Sequence, residues 1–211
     1  MMTLDKFKNI ANNGYLPVVL VEGTRDLPES DAEKLVAFGK WLAETFPAVI
    51  FRTGNAKGSD EAFASGVRSV EPSRLQYVVP YTRHRQRPLG EGSYTYSLSD
   101  ATLAAEETLA GHTIRASAHY RELLEKRTRI PALRAKAGYL LRDTLKVVGS
   151  DESGLTPAKA GIFYVNPEDP MKGGTGHTIR VCQDVGVPVA FQNEWMKWGD
   201  EKSGVRSQDS T

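Results

Sequence analysis

The stretch Leu16–Arg25, LPVVLVEGTR, decides the fold, because a short β-branched run in it stops abruptly at a turn. Residues Val18–Val21 are apolar without the polar alternation of a half-exposed strand, which is typical of a strand covered on both faces. A helical spacing of apolar residues then runs from Ser30 to Phe46. This order of strand, turn and helix indicates an α/β protein.

The same unit recurs along the chain. Residues 48–51 form a second apolar run, followed by the loop TGNAKGSD at 53–60 and another helical pattern. Four more short apolar runs are predicted as strands, at 75–80, 145–148, 161–165 and 187–191. Strands that alternate with helices pair in parallel through right-handed crossovers. We therefore expect a doubly wound, mainly parallel, Rossmann-like sheet with helices on both faces.

The pattern weakens between Tyr81 and Leu98, where the sequence is polar and contains arginine and glycine. Helical patterns follow at 99–109, 113–126 and 131–142, and the pentapeptide GHTIR at 111–115, a copy of 176–180, is interpreted as a helix junction. We interpret 81–130 as a polar and helical insertion within a single domain over residues 1–198. The polar segment 199–211 is expected to be a flexible tail.

Composition excludes several classes of protein. The chain has 211 residues, a net charge of +1, 40% hydrophobic and 25% charged residues, so any basic binding site must be local. Cys182 is the only cysteine, which excludes an intrachain disulfide and a cysteine-based zinc site. The sequence shows neither a signal peptide nor an apolar run of about 20 residues. We expect a cytoplasmic protein with no membrane partner and no metal site.

A glycine-rich turn, GGTGHTIR at 173–180, runs directly into an apolar-periodic stretch and predicts a loop that delivers a helix N-terminus. Such a terminus presents free N–H groups and the positive end of the helix dipole, and glycine lets a ligand approach closely. The chemistry that it favours is anion or phosphate binding. The candidate residues here are Gly173, Gly174, Thr175, Gly176, His177 and Thr178. His177 is interpreted as a helix-start donor or ligand contact rather than a general base.

Two other loops also follow predicted strands, and the carboxyl ends of parallel strands meet at one edge of a sheet. Their candidate ligand-binding residues are Gly23, Thr24 and Arg25 in the first loop, and Gly54, Asn55, Lys57, Gly58, Ser59 and Asp60 in the second. Arg25 suits phosphate but equally suits an exposed turn, and Ser59 or Asp60 is also placed to cap the next helix. Together the three loops predict one pocket.

The insertion adds a local basic group, Arg83, Arg85 and Arg87, with tyrosines nearby. Arginines interleaved with aromatic rings can bind single-stranded nucleic acid or close over a nucleotide. A solvated loop explains the same residues equally well. Two common motifs are excluded: the chain has no GxxxxGK[ST] loop, and the partial GxGxxG at 174–179 ends in Ile179 and does not follow a strand directly.

These three loops resemble the SLOG superfamily of Rossmann-like domains, which includes DNA-processing protein A and the lonely-guy enzymes. The resemblance covers roughly residues 15 to 195, least well over 81–130. The second loop is similar to the SGGARGID pattern of DNA-processing protein A: Gly54, Ala56, Gly58 and Asp60 match, while Asn55 replaces a glycine and Lys57 an arginine. The resemblance implies binding of a phosphate-containing ligand such as DNA, a nucleotide or an NAD-derived molecule.

The third loop is similar to the PGGxGTxxE motif of lonely-guy phosphoribohydrolases but departs from it at three positions. Lys172 replaces the proline, His177 the threonine and Arg180 the catalytic glutamate. Because arginine cannot act as that carboxylate, the resemblance implies binding more than hydrolysis. Glu22, directly after the first predicted strand, is the one candidate for a substitute acid. A glutamate hydrogen-bonded to a neighbouring loop is the alternative reading of this residue.

The sequence thus favours a nucleotide or a nucleotide-derived phosphate ligand, including NAD-related or ADP-ribose-related molecules, held by glycine-rich loops. Two alternatives stay open: hydrolysis of the N-glycosidic bond of a nucleoside phosphate or of NAD, and binding of single-stranded DNA in the manner of DNA-processing protein A. No cofactor is required for the favoured function, although the nucleotide itself would be bound. Related domains self-associate, so a homo-oligomer is compatible with the resemblance.

Overall fold

The chain folds around a six-stranded sheet. The computed structural model describes residues 2–85 and 87–198. The strands are β1 (Val18–Gly23), β2 (Ile50–Thr53), β3 (Leu75–Val79), β4 (Tyr94–Ser97), β5 (Ala160–Tyr164) and β6 (Val189–Phe191). The helices are α1 (Leu4–Asn12), α2 (Glu29–Thr45), α3 (Ser59–Arg68), α4 (Leu103–Ala116), α5 (Arg121–Lys126), α6 (Pro131–Val148), α7 (Gly173–Asp184) and α8 (Gln192–Trp195). The predicted tail, 199–211, lies outside the described residues.

The strand order is β4-β3-β2-β1-β5-β6, and each of the five neighbouring pairs is parallel. The chain winds in one direction from β1 to β4 and then returns to the other side of β1. This confirms the doubly wound, Rossmann-like parallel sheet. The reversal creates a crevice where the carboxyl ends of β1 and β5 meet, the place where open α/β sheets bind ligands.

Both faces of β1 are covered, as its uninterrupted apolar sequence predicts. Val19 and Val21 belong to the core formed with α1, α2, α3 and α8. Val18 and Leu20 belong to the opposite core, which includes residues of α6 and α7. Successive side chains of a strand point to opposite faces, so a doubly covered strand is apolar at every position.

The predicted strand at 145–148 is wrong, because these residues form the last turn of α6. Leu141 and Leu145 both pack in a third core cluster, and their spacing of four residues is that of one helix face. The helix ends only at Gly149, whose φ is +69°. Its apolar final residues, LKVV in sequence, resemble a short strand when they are read without the preceding turns.

The structure contains an edge strand that the sequence pattern did not predict. β4 pairs with β3 alone among the described strands, and its first two residues are exposed, so the strand lacks the apolar run used to identify the others. The predicted helix junction at 111–115 is also wrong, because α4 continues through it. A Cβ on Gly111 would meet no described atom within 4 Å, so the helix passes this glycine unobstructed and ends instead at Ser117.

Helices α2 and α3 approach closely through two glycines. A Cβ on Gly39 would lie 2.5 Å from the Phe63 carbonyl oxygen, and one on Gly66 would lie 2.1 Å from that of Val36. The atoms in the way are backbone atoms, which cannot move aside without shifting a helix. The separation of the two helices is therefore set by the missing side chains at these positions.

Gly66→Ala should lower the free energy of unfolding by about 1–3 kcal/mol, because the added methyl group must push the two helices apart. Gly111→Ala is the matched control within a helix, and it should raise stability by about 0.5–1 kcal/mol since no described atom obstructs the methyl group. Urea denaturation measures both values. Equal effects of the two substitutions on stability would contradict the close packing of α2 against α3 at Gly66.

Candidate functional site

A cavity of about 460 Å³ lies at the carboxyl ends of β1 and β5, between α6 and the start of α7. Eight of the residues predicted from the sequence line it: Glu22, Gly23, Thr24, Arg25, Asp60, Gly173, Gly174 and Thr175. The first and third predicted loops therefore meet at one site. The fold explains this, because both loops follow strands on either side of the point where the winding direction reverses.

The remaining predicted residues do not line this cavity. They are Gly54, Asn55, Lys57, Gly58, Ser59, Gly176, His177 and Thr178, together with Arg83, Arg85 and Arg87 of the insertion. Lys57 is exposed on the outer side of the second loop. Ser59 is buried, and its hydroxyl donates to the Thr24 carbonyl (2.9 Å). The second loop thus mainly supports the first.

Helix α6 contributes a row of polar residues that were not predicted from the sequence. Lys136, Tyr139, Asp143 and Lys146 follow one another at intervals of three and four residues, and all line the cavity together with Arg142. This spacing places them on one face of a helix. The spacing is visible in the sequence, but the predicted helix ends at 142 and a strand is assigned to 145–148, so Asp143 and Lys146 were separated from the other two.

The Asp60 carboxylate holds the two loops after β1 and β2 together. Its Oδ1 accepts from the Gly23 amide (3.2 Å), and its Oδ2 accepts from the amides of Gly54 (3.1 Å) and Ala56 (3.2 Å). No side chain of the described residues caps the N-terminus of α3, so the predicted capping role of Ser59 or Asp60 is wrong. Asp60 instead satisfies amides that were expected from the sequence to meet a phosphate.

Two glycines in the predicted loops serve close packing. Gly58 has φ +75°, and a Cβ there would lie 2.7 Å from the Thr24 carbonyl oxygen. At Gly176 a Cβ would lie 1.8 Å from the Met171 carbonyl oxygen. The glycines therefore let the loops contact one another, and this explains their positions without a ligand.

A buried ion network forms the floor of the cavity. Lys146 Nζ donates to Glu22 Oε2 at 2.5 Å and lies 2.9 Å from Asp143 Oδ1. Arg142 Nε lies 3.2 Å from the same Asp143 oxygen, and its Nη1 donates to the Gly54 carbonyl (2.9 Å). Since all four side chains are buried, each charge depends on its neighbours for stabilisation.

The two carboxyl groups that share Lys146 have opposite pKa shifts. Burial raises the pKa of Glu22 to about 7, and the attraction of Lys146 only partly offsets this. Burial would also raise the pKa of Asp143, but Arg142 and Lys146 outweigh it and hold the pKa below its usual value. Asp143 is therefore ionised at neutral pH, whereas Glu22 exchanges a proton in that range.

The N-terminus of α7 opens into the cavity. Within the described part of the chain no side chain caps it, and Gly173, Gly174 and Thr175 form part of the wall. The space beside Gly173 is open, since a Cβ there would meet no described atom within 4 Å. At Gly174 a Cβ would lie 2.9 Å from Asp143 Oδ2. The predicted helix N-terminus is thus confirmed, with an open side and a side occupied by a carboxylate. The predicted loop at 173–178 is wrong, because α7 begins at Gly173 and these residues form its first turns.

His177 lies beneath this wall and is fully buried. Its Nε2 lies 3.1 Å from the Thr144 hydroxyl, and its ring meets that of Tyr120 edge to face, with centroids 5.4 Å apart. Burial lowers the pKa of His177 to about 4. The imidazole is therefore neutral at physiological pH. Arg180, one turn later, donates to the Met171 carbonyl (2.8 Å) and supports the loop before α7.

Asn55 and two arginines of the insertion contact each other rather than the cavity. Arg87 Nε donates to Asn55 Oδ1 (2.8 Å), and Arg85 donates to the Asn55 carbonyl (3.2 Å). Both arginines also form ion pairs with Glu61. Arg83 is exposed. Most of the basic charge predicted for a nucleic-acid surface is thus paired within the protein.

Residues 2–85 and 87–198 contain no group of three or more histidine, cysteine or carboxylate side chains placed to share a metal ion. In the same part of the chain, no helix is both long and apolar enough to cross a membrane.

Asp60→Ala should lower the free energy of unfolding by roughly 3 kcal/mol, because it leaves three amides of two buried loops without their acceptor. Asp26→Ala is a suitable control, as Asp26 is exposed beside the same cavity and should cost less than about 0.5 kcal/mol. Chemical denaturation at pH 7 distinguishes them. A loss below about 0.5 kcal/mol for Asp60→Ala would show that water replaces the carboxylate.

The lowered pKa of His177 makes stability depend on pH. Between its folded pKa of about 4 and an unfolded pKa of about 6.5, the unfolded chain binds the proton better, so stability falls as the pH falls. Between pH 7 and pH 5, His177→Gln should lose roughly 2 kcal/mol less stability than the unmodified protein. Thr178→Ala, a buried change on the same helix without a titratable group, should lower stability equally at both pH values. Equal pH dependence in the histidine variant and the unmodified protein would refute the buried neutral state.

No protein-family model and no curated protein matches the sequence. Among solved structures, the chain is similar to DNA processing protein A from Helicobacter pylori, described for its single-stranded DNA binding mode, with 14% identity, a TM-score of 0.46 and coverage of 90% of this chain and 75% of that chain. It is also similar to the molybdenum cofactor carrier protein of Chlamydomonas reinhardtii, with 15% identity, a TM-score of 0.39 and coverage of 88% and 97%. Likenesses at this level attribute no ligand and no reaction to the chain.

Proposed function

We propose that the cavity binds a nucleotide or a nucleotide-derived molecule through its phosphate. The observation that carries this proposal is the uncapped N-terminus of α7, which opens into a cavity at the reversal point of the sheet. Free amides and the helix dipole favour an anion at such a terminus. The volume of about 460 Å³ falls within the range of small-molecule sites.

Cationic side chains line the same cavity as the α7 N-terminus. Lys172 directly precedes α7, and Arg25 and Lys136 line the same cavity from the first loop and from α6. All three are exposed, so they can move onto a ligand without breaking the buried network. Lys57, a candidate binding residue from the sequence, does not line the cavity, and Lys172 takes its place in this proposal.

Three carboxyl groups that line the cavity suit a different part of the same ligand. Glu22, Asp60 and Asp143 would repel a phosphate, but carboxylate oxygens accept hydrogen bonds from sugar hydroxyl groups. The open space beside Gly173 therefore suits the phosphate, and the side near Asp143 suits a ribose. Tyr120 and Tyr139 also line the cavity and offer aromatic surfaces to a base.

The contacts of the insertion favour this ligand over single-stranded DNA. Arg85 and Arg87 are engaged with Glu61 and Asn55, so binding of a nucleic-acid backbone would require these contacts to break. Arg25, Lys136 and Lys172 are instead exposed and line the same cavity.

A ligand that binds only the folded protein raises its stability by about 2.7 kcal/mol at a hundredfold excess over Kd. AMP, ADP or ADP-ribose should therefore raise the melting temperature in a thermal-shift measurement. The double variant Arg25→Ala plus Lys172→Ala should weaken binding by roughly tenfold or more, because it removes two charge-assisted contacts to phosphate.

Lys57→Ala is the matched control, since Lys57 is an exposed lysine of the second loop and does not itself line the cavity. It should bind like the unmodified protein. The absence of a shift with all three ligands would sink the proposal, and so would a Lys57→Ala variant as weak as the double variant.

A further inference from the structure

We propose that the cavity takes up a proton together with its phosphate ligand, and that Glu22 binds this proton. This rests on the function proposed above and adds a dependence on pH to the same site. Glu22 is buried in the cavity wall with one free carboxyl oxygen, and the next residue, Gly23, contacts the first turn of α7. The ligand is therefore held more tightly near pH 7 and released as the pH rises.

Glu22 has one carboxyl oxygen bound by the protein and one without a partner. Oε2 accepts from Lys146 Nζ at 2.5 Å, whereas Oε1 is buried and has no hydrogen-bond partner among the described residues. The residue is 3% exposed, yet it lines the cavity. An ionised carboxylate with a buried, unsatisfied oxygen is costly. A proton on this oxygen removes the charge and makes the group a hydrogen-bond donor.

One ammonium serves two carboxyl groups. Lys146 Nζ also lies 2.9 Å from Asp143 Oδ1, and Arg142 Nε lies 3.2 Å from the same oxygen. Among the described residues, Glu22 forms an ion pair with Lys146 alone. Burial raises the pKa of Glu22 to about 7, whereas at Asp143 burial is outweighed by Arg142 and Lys146, which lower the pKa. Glu22 is therefore the member of the pair that gains a proton first as the pH falls.

The proposed phosphate position is connected to Glu22 by two short routes. The Thr175 hydroxyl, in the first turn of α7, donates to the Gly23 carbonyl (2.9 Å). A Cβ on Gly174 would lie 2.9 Å from Asp143 Oδ2, and Asp143 belongs to the same ion network as Glu22. A phosphate at this terminus would place negative charge beside the network, where burial leaves charges poorly screened by salt.

The phosphate raises the proton affinity of Glu22, because a nearby negative charge disfavours the ionised form of a carboxyl group. By linkage, a proton that is bound more tightly in the complex makes the ligand bind more tightly at lower pH. Between the pKa of Glu22 in the free protein, about 7, and its higher pKa in the complex, the affinity falls by up to about tenfold per pH unit. Well below pH 7, Glu22 is protonated in both states and contributes no dependence.

The charged and titratable groups that act on Glu22 come from four elements. They are Lys146 and Asp143 of α6, Asp60 of α3, Arg52 of β2 and Cys182 of α7. Burial lowers the pKa of Arg52 to about 10 and raises that of the Cys182 thiol above its usual value. Aspartate and lysine ordinarily titrate far from pH 7. Glu22 is thus the member of this set that changes charge near neutral pH.

Isothermal titration calorimetry with AMP at pH 7, 8 and 9 tests the linkage. The phosphate of AMP stays dianionic in this range, because its second pKa is about 6. The unmodified protein should lose roughly tenfold of its affinity between pH 7 and pH 9. Glu22→Gln, which is neutral like the protonated acid, should bind with the same affinity at all three pH values, within about threefold of the unmodified protein at pH 7.

The same titrations count the protons directly. HEPES and Tris release different heats when they ionise, so the difference in binding heat between the two buffers gives the number of protons taken up per ligand. The unmodified protein should take up roughly half a proton or more at pH 7.5, and Glu22→Gln should take up about none.

Two further variants serve as controls. Glu33→Gln removes an exposed carboxyl group of α2 that does not line the cavity, and it should keep the full pH dependence. Arg25→Ala plus Lys172→Ala should weaken binding at each pH but keep the same relative loss from pH 7 to pH 9. Arginine and lysine keep their charge throughout this range, so their removal leaves the proton count unchanged.

The outcomes separate proton uptake from binding. Binding of AMP with an affinity that does not fall from pH 7 to pH 9 would overturn the proton linkage and leave the binding function intact. A folded Glu22→Gln variant with the pH dependence of the unmodified protein would also reject Glu22 as the proton acceptor. If that variant does not fold, the unmodified protein decides: uptake of less than about 0.2 protons at pH 7.5 rejects the proposal. No binding of AMP, ADP or ADP-ribose would overturn the binding function itself.

Discussion

The buried ammonium of Lys146 is the interaction on which the candidate site depends. It joins Glu22 at the end of β1 to Asp143 on α6, so one cation fixes the helix over the sheet edge. Removing one partner of such a buried network leaves an uncompensated charge, which is far more costly than losing an exposed ion pair. The buried charges thus hold α6 against the carboxyl end of β1, where the winding of the sheet reverses.

Arginines extend this attachment to the neighbouring strand by binding main-chain oxygens. Arg52 of β2 donates to the Lys146 carbonyl (2.8 Å) and to Gln76 Oε1, while Arg142 of α6 donates to the Gly54 carbonyl. Each guanidinium reaches from one element to another, since its planar group offers several donors. Helix α6 is consequently bound to both β1 and β2. Asp60 accepts from main-chain amides instead, and so holds together the loops after β1 and β2.

The layers of the fold could be predicted from the sequence, and so could two of the three loops placed at the site. β1 was identifiable because its four apolar residues, Val18–Val21, are each buried in one of two cores, whereas β4, an edge strand with exposed tyrosine and threonine, has no such pattern. The end of α6 was misread because its last four residues are mostly apolar. Lys146 was therefore not identified as a site residue, because a lysine within a predicted strand gives no reason to expect a buried ammonium. Its ion pair with Glu22 joins residues 124 positions apart in the sequence.

The turn at Asn55 links the insertion to the candidate site. Asn55 adopts a left-handed conformation with φ +57°, and its side chain and carbonyl are bound by Arg87 and Arg85. The next amide, that of Ala56, is bound by Asp60 at the cavity floor. Two adjacent residues are thus anchored from opposite sides. The loop after β3 and the wall of the cavity are therefore joined through the single peptide unit between Asn55 and Ala56.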